Sequence, residues 1–142
     1  SDGALITRLS FDALHVRQAK VPTVLEEAHK QLDAYFTGRS RKFDLPVQHL
    51  GSRFQKLVWA ALDHIPYGTS ETYQGIAESI GGKANARTVG NACGSNPVPI
   101  IVPCHRVLSA DGLLTGYVGG IWRKKWLLQQ EGALPKELFD EA

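Results

Sequence analysis

Cysteine is scarce in this chain. Its 142 residues hold two, Cys93 and Cys104, too few for a disulfide framework, so a reducing cytoplasm is the expected setting. The five histidines are scattered and no Cys-x-x-Cys occurs, which argues against a metal cluster. Neither a metal nor an organic cofactor is expected. Long apolar runs are missing as well. None approaches the roughly 20 residues that span a bilayer, and the N-terminus lacks the basic-then-apolar layout of a signal peptide, so no membrane partner is expected. Net charge is small, at +2, with 43% hydrophobic and 21% charged residues, the usual balance of a globular protein. At this length the chain forms one domain, or a compact domain with a small companion.

The small net charge conceals an uneven distribution. From Lys83 to Lys125 the basic residues are Lys83, Arg87, Arg106, Arg123, Lys124 and Lys125, and the one acid is Asp111. Such a segment suits a polyanionic partner, although a solvated basic surface would read the same way.

Pattern and punctuation divide the chain near Gly51, into a small part over residues 1–50 and a larger domain over 51–142. Loose alternation over residues 4 to 18 (Leu5, Leu9, Phe11, Val16) predicts one or two short strands. Thr23 and Glu26 have capping-box spacing. Leu25, Ala28, Leu32, Tyr35 and Phe36 then follow helical spacing until Gly38. Phe43 to Leu50 reads as an extended connector. Ser52 and Gln55 form a second capping box before the clearest helix, with Phe54, Leu57, Val58, Ala61, Leu62 and Ile65 on one face and Pro66-Tyr67-Gly68 at its end.

Two short helices are predicted next, Tyr73–Ile80 capped by Thr72 and Asn85–Ser95 stopped by Asn96-Pro97, with Gly81-Gly82 between them. This pairing suggests a helix-turn-helix. The second helix presents Ala86, Gly90, Ala92 and Gly94 around Arg87. Small residues let a helix approach a backbone closely or lie in the minor groove, and they equally suit tight packing on another helix. Pro97 to Pro103 is predicted to be extended and buried, because its three prolines cannot donate to a ladder. It delivers Cys104-His105-Arg106. Asp111-Gly112 marks a turn, Gly116 to Gly120 a loop, and a last helix is predicted over Ile121–Glu131. The resulting fold class is α+β. A small N-terminal part carries short antiparallel strands and a helix, and a mainly helical C-terminal domain carries the helix-turn-helix and an active-site strand.

Pro103-Cys104-His105-Arg106 is the sharpest chemical feature. A cysteine flanked by cations is expected to have a lowered thiol pKa and a larger thiolate fraction, which favours a nucleophile over a buried small hydrophobe.

Several motifs together, Ile65-Pro66-Tyr67-Gly68, Thr72-Tyr73-Gln74, Ala86-Arg87-Thr88-Val89-Gly90, Asn96-Pro97, Ile101 to Val107, Thr115-Gly116-Tyr117 and Leu127-Leu128, closely resemble the O6-alkylguanine-DNA alkyltransferase family. The likeness is strong over about residues 51 to 132. It implies single-turnover transfer of an alkyl group to Cys104 from O6-alkylguanine, or O4-alkylthymine, in duplex DNA bound through the minor groove by a monomer. It implies a network from Glu131 through His105 and a water to the thiol, and a flipped nucleotide. Arg87 would fill the gap in the stack, Tyr73 would crowd the neighbouring phosphate and protonate the departing base, and Asn96 would tie the recognition helix to the active-site strand. Thr72, Lys83, Ala86, Thr88 and Gly90 complete the implied DNA face. Pro99, Val107, Tyr117, Val118 and Gly119 are the implied pocket walls.

Three departures from the family pattern stand out. Thr88 replaces a frequent Ala and Val118 a small or polar residue. The usual additional strand or hairpin before residues 3 to 12 is not seen, so either the sequence starts inside that region or the N-terminal part is reduced. Two alternatives remain at this point. A cysteine hydrolase using Cys104, His105 and Glu131 would show multiple turnover. A non-catalytic helix-turn-helix module would be indifferent to loss of Cys104.

Overall fold

The computed structural model describes residues 3–11 and 22–135. Its order is α1 (Thr23–Phe36), α2 (Arg53–Leu62), β1 (Glu71–Thr72), α3 (Tyr73–Ile80), α4 (Ala86–Gly94), a 3₁₀ turn (Cys104–Arg106), β2 (Val107–Leu108) and α5 (Ile121–Gln130). The α+β class is borne out. β1 and β2 pair in parallel, with Glu71 opposite Val107 and Thr72 opposite Leu108. Ile6 also meets Val47 in a parallel bridge. Antiparallel pairing is therefore not found among the described residues. Much of the expected N-terminal strand region, residues 12–18, lies outside them. No helix among the described residues is long and apolar enough to cross a membrane.

Local caps decide where the helices begin. Ser52 Oγ accepts from Gln55 N at 3.1 Å, and Gln55 Oε1 accepts from Ser52 N at 2.9 Å, closing the expected capping box of α2. Thr72 Oγ1 accepts from Gly75 N and Asn85 Oδ1 from Thr88 N, so α3 and α4 start where predicted. The box expected at Thr23 and Glu26 is absent. Thr23 is already helical, and the Pro22 carbonyl accepts from both Leu25 and Glu26. Glu26 still favours the start of α1 by its charge on the helix dipole. Gly38, at φ 77°, ends α1 in a left-handed conformation that costs glycine little.

The inward face of α2 differs from expectation. Val58, Trp59 and Leu62 are buried, whereas Leu57 is 48% exposed. The Trp59 indole donates to Ala92 O at 2.9 Å, which ties α2 to α4 and turns the helix face toward it. The helix ends at Leu62, before Pro66, and Ile65 is buried in the turn that follows. The main core joins these residues to Ile76, Ala77, Val89, Ala92, Val98, Val102 and Val107. Each buried Val, Leu or Ile among them contributes about 1.5–3 kcal/mol through burial.

The segment from Pro97 to Pro103 is buried as expected but not extended. Val102 N donates back to Val98 O at 3.0 Å, and Ile100 has φ 73°, a costly value for a β-branched residue. Asn96 closes the loop from within. Its Nδ2 donates to Val102 O at 2.9 Å and its Oδ1 accepts from Val98 N at 3.0 Å. The expected active-site strand is consequently a single 3₁₀ turn at Cys104–Arg106, with strand only at Val107–Leu108.

Candidate active site

The turn places Cys104 at a cavity of about 300 Å³. Its other lining residues are Tyr73 on α3, Gly90, Cys93 and Gly94 on α4, and Gly116, Tyr117 and Val118 from the loop before α5. Tyr117 and Val118 are where the pocket was expected. Pro99 and Val107 are not in this lining: both are buried, Pro99 in the Asn96-clamped loop and Val107 in the sheet and core. Gly119 faces the other way, where a Cβ would lie 2.8 Å from the Phe11 ring.

Cys104 is 4% exposed. Burial raises its thiol pKa to about 11, against the lowering effects of the Asn96 side chain and the Lys124 charge. This corrects the expectation of a lowered value. Desolvation disfavours the thiolate more than the nearby charges favour it, and the adjacent Arg106 is committed elsewhere.

That commitment is to Glu131, the C-cap of α5. Arg106 Nε donates to Glu131 Oε1 at 2.8 Å, Nη2 donates to Oε2 at 3.0 Å, and Nη1 donates to Ile65 O at 2.7 Å. The Tyr35 hydroxyl, from α1, donates to Oε2 at 2.6 Å. His105 Nε2 lies 2.8 Å from the same oxygen. Burial pushes the Glu131 carboxyl up, but the hydrogen bonds from His105, Arg106 and the Tyr35 hydroxyl hold it down at about 2. Burial lowers the pKa of His105. A neutral ring facing a carboxylate must carry its proton on Nε2. Nδ1 is then a basic lone pair, buried and without a hydrogen-bond partner among the described residues.

This geometry coincides with a sequence match over most of the same residues. The family model described as the DNA-binding domain of 6-O-methylguanine DNA methyltransferase matches residues 53–133. The chain belongs to the methylated-DNA–protein-cysteine methyltransferase family. It is accordingly an alkyltransferase of DNA repair. The family member from Mycobacterium bovis is 51% identical over 134 residues, 91% of this chain and 81% of that protein. The member from Methanosarcina acetivorans is 50% identical over 107 residues, 75% of this chain and 69% of that protein. Among solved structures, Mycobacterium tuberculosis OGT in complex with DNA aligns with a TM-score of 0.84 and 44% identity, covering 97% of this chain and 88% of that one.

Within this family frame, the fold separates the basic residues into two kinds. Lys83 and Arg87 are exposed, at the turn before α4 and in its first turn. Arg123 lies over Phe11 and Trp122, its Cζ 4.9 and 4.5 Å from the ring centroids. Arg106 and Lys124 are buried, which the charge count alone did not reveal. Lys124 Nζ donates to Thr115 O at 2.8 Å, and to Gly116 O and the Tyr73 hydroxyl at 3.4 Å each. Burial lowers its pKa, and the charges of Cys104 and Cys93 act to raise it.

Burial also raises the pKa of Tyr73, whose hydroxyl donates to Thr115 O. Thr72 and Thr88 both spend their hydroxyls on helix caps, which gives the unusual Thr88 a local function. Ala86 and Gly90 are half-buried on α4. Sequence reasoning missed Lys124, Tyr35 and Cys93 as members of this site. Their shared signal was helical phase: Lys124 precedes Leu127 and Leu128 by one turn, Tyr35 follows Leu32, and Cys93 follows Val89.

Proposed function

We propose that Cys104 accepts an alkyl group from O6-alkylguanine in duplex DNA, with O4-alkylthymine as a second lesion class, and retains it permanently. The observation that carries this reading is the position of the Cys104 thiol at a cavity walled by Gly90 and Gly94 of α4. A thiol so placed can meet a base only after the nucleotide leaves the stack.

In this reading α3 and α4 act as a helix-turn-helix on the minor groove. The small residues of α4 allow close approach. Arg87 fills the gap in the stack, where a planar cation can stack and hydrogen bond at once. Lys83, Thr72, Ala86 and Thr88 contact the flanking backbone. Residues 51–142 form the DNA-binding and acceptor domain, and residues 1–50 support it, Tyr35 by anchoring Glu131. The protein acts as a monomer in a reducing cytoplasm or nucleoid, in keeping with its two free thiols.

The chemical step needs a base, because the resting thiol is protonated. The proton passes from Sγ through a water to His105 Nδ1, and Glu131 stabilises the imidazolium that results. The sulfur forms a bond to the alkyl carbon as the bond from that carbon to oxygen breaks. Guanine leaves and takes a proton delivered by the Tyr73 hydroxyl. The product thioether has no carbonyl for water to attack, so the protein is spent after one turnover.

The test is intact-mass analysis after incubation with duplex DNA bearing O6-methylguanine. One methylene should appear on the tryptic peptide spanning residues 88–106, at Cys104. Cys104→Ala should bind DNA yet gain nothing. Arg87→Ala should lose transfer from duplex DNA while still reacting with free O6-benzylguanine. Folded, reduced protein that acquires no methylene would refute the assignment.

A further inference from the structure

The acceptor cavity contains a second sulfur that the transfer reaction does not use. Cys93, on the buried side of α4, lines the same 300 Å³ space as Cys104. Both are free thiols, 7% and 4% exposed respectively. A short chain of hydrogen bonds connects their backbones. Cys93 O accepts from Asn96 N at 3.2 Å, Asn96 Nδ2 donates to Val102 O at 2.9 Å, and that carbonyl also accepts from Cys104 N at 2.8 Å. Cys93 stands one residue from the end of α4. A Cβ added at Gly94 or Gly116 would touch nothing within 4 Å, so the walls beside both thiols have room to adjust. A disulfide needs Cβ atoms about 3.5–4.5 Å apart, so closing one requires the end of α4 and the Cys104 turn to bring the two side chains to that separation across the cavity that both line.

We propose that Cys93 is a resolving thiol for Cys104, closing a reversible disulfide across the cavity when peroxide oxidises the acceptor. The proposal rests on the reading of Cys104 as the reactive thiol. The Cys104 thiolate attacks one oxygen of hydrogen peroxide. The O–O bond breaks, an S–O bond forms, and the departing hydroxide takes the thiol proton as water. Cys93 then attacks the Cys104 sulfenic acid. An S–S bond forms, the S–O bond breaks, and a second water leaves. One peroxide is reduced to two waters as two thiols become one disulfide. Cys104 reacts first. Burial raises both thiols, and the Asn96 side chain acts to lower Cys104, so Cys104 is the thiol whose ionised form is assisted by a neighbouring hydrogen bond. The disulfide pauses repair, protects the acceptor from irreversible oxidation, and returns a usable thiol on reduction.

The sequence makes the experiment direct. Arg87 and Arg106 bracket both cysteines without another basic residue between them that trypsin cuts, so digestion leaves them on one peptide, residues 88–106. The full chain is treated with hydrogen peroxide, blocked with iodoacetamide and digested. The expected peptide is lighter by two hydrogens, takes no label, and becomes doubly labelled after dithiothreitol. In Cys93→Ser, Cys104 should instead advance to sulfinic or sulfonic acid that dithiothreitol does not recover. Wild-type protein that forms those acids as fast as the variant, with no lighter peptide, would overturn the proposal. Methyl transfer measured on the untreated sample keeps failure of the disulfide distinct from failure of the acceptor assignment.

Discussion

The Cys104–Arg106 turn separates two neighbourhoods of opposite electrostatic character. Behind it, Glu131 gathers Arg106, His105 and Tyr35, and a carboxylate is held far below its ordinary pKa. In front, Cys104, Cys93, Tyr73 and Tyr117 share a cavity where burial raises every thiol and phenol, with Lys124 as the cation beside them. The difference teaches how a buried thiol can stay dormant yet reactive. The Glu131 carboxylate keeps its charge because Arg106 pairs with it, and burial in the cavity keeps the Cys104 thiol protonated.

The largest effect on this contrast should come from Arg106→Leu. It leaves Glu131 buried without its main counter-charge, and loss of one partner of a buried pair costs about 3–5 kcal/mol. Urea denaturation should show that loss, and a cost below about 1 kcal/mol, the range of an exposed pair, would mean the pair is not structural. Next is the acid limit of the fold. Glu131 has an ordinary value of 4.5 and is held at about 2. Its contribution is therefore complete above pH 4.5 and disappears as pH falls toward 2, on the order of 3 kcal/mol in all. Glu131→Gln should flatten that part of the stability curve, followed by tryptophan fluorescence across the acid range.

On the cavity side, Lys124→Gln should raise the Cys104 pKa and slow transfer at neutral pH, about tenfold for each pH unit by which the thiol becomes less acidic. The lost rate should return at higher pH. A uniform loss at all pH values would assign Lys124 to holding Tyr73 and the loop instead. The smallest effect belongs to neither side. Ser52→Ala removes the cap of α2 and should cost about 1 kcal/mol in thermal denaturation, with little change in transfer rate per folded molecule.

Much of the fold was legible because its signals are local. Ser52 with Gln55, Thr72 and Asn85 mark helix starts through atoms three residues apart. Gly38 and Gly81 mark stops through backbone conformations that other residues avoid. Where prediction failed, a partner other than the expected one decided. Leu57 points outward because Trp59 bonds to α4. Pro97 to Pro103 folds back because Asn96 satisfies both ends of the loop, which a reading of proline as a ladder-breaker cannot anticipate. The Thr23 box is missing because the Pro22 carbonyl already serves the first amides.

The order of motifs in the chain was enough to determine the family, and short-range spacing was enough to determine where α2, α3 and α4 begin. These depend on residue identity and short spacing, which a linear sequence preserves. Only the tertiary structure decided which charges are silent. Lys124 and Arg106 look like any surface cation in a basic stretch, and Cys93 like any helical small residue, until packing removes water from them. Desolvation is set by neighbours distant in sequence. It is why the thiol flanked by two basic residues has a higher pKa than an exposed one.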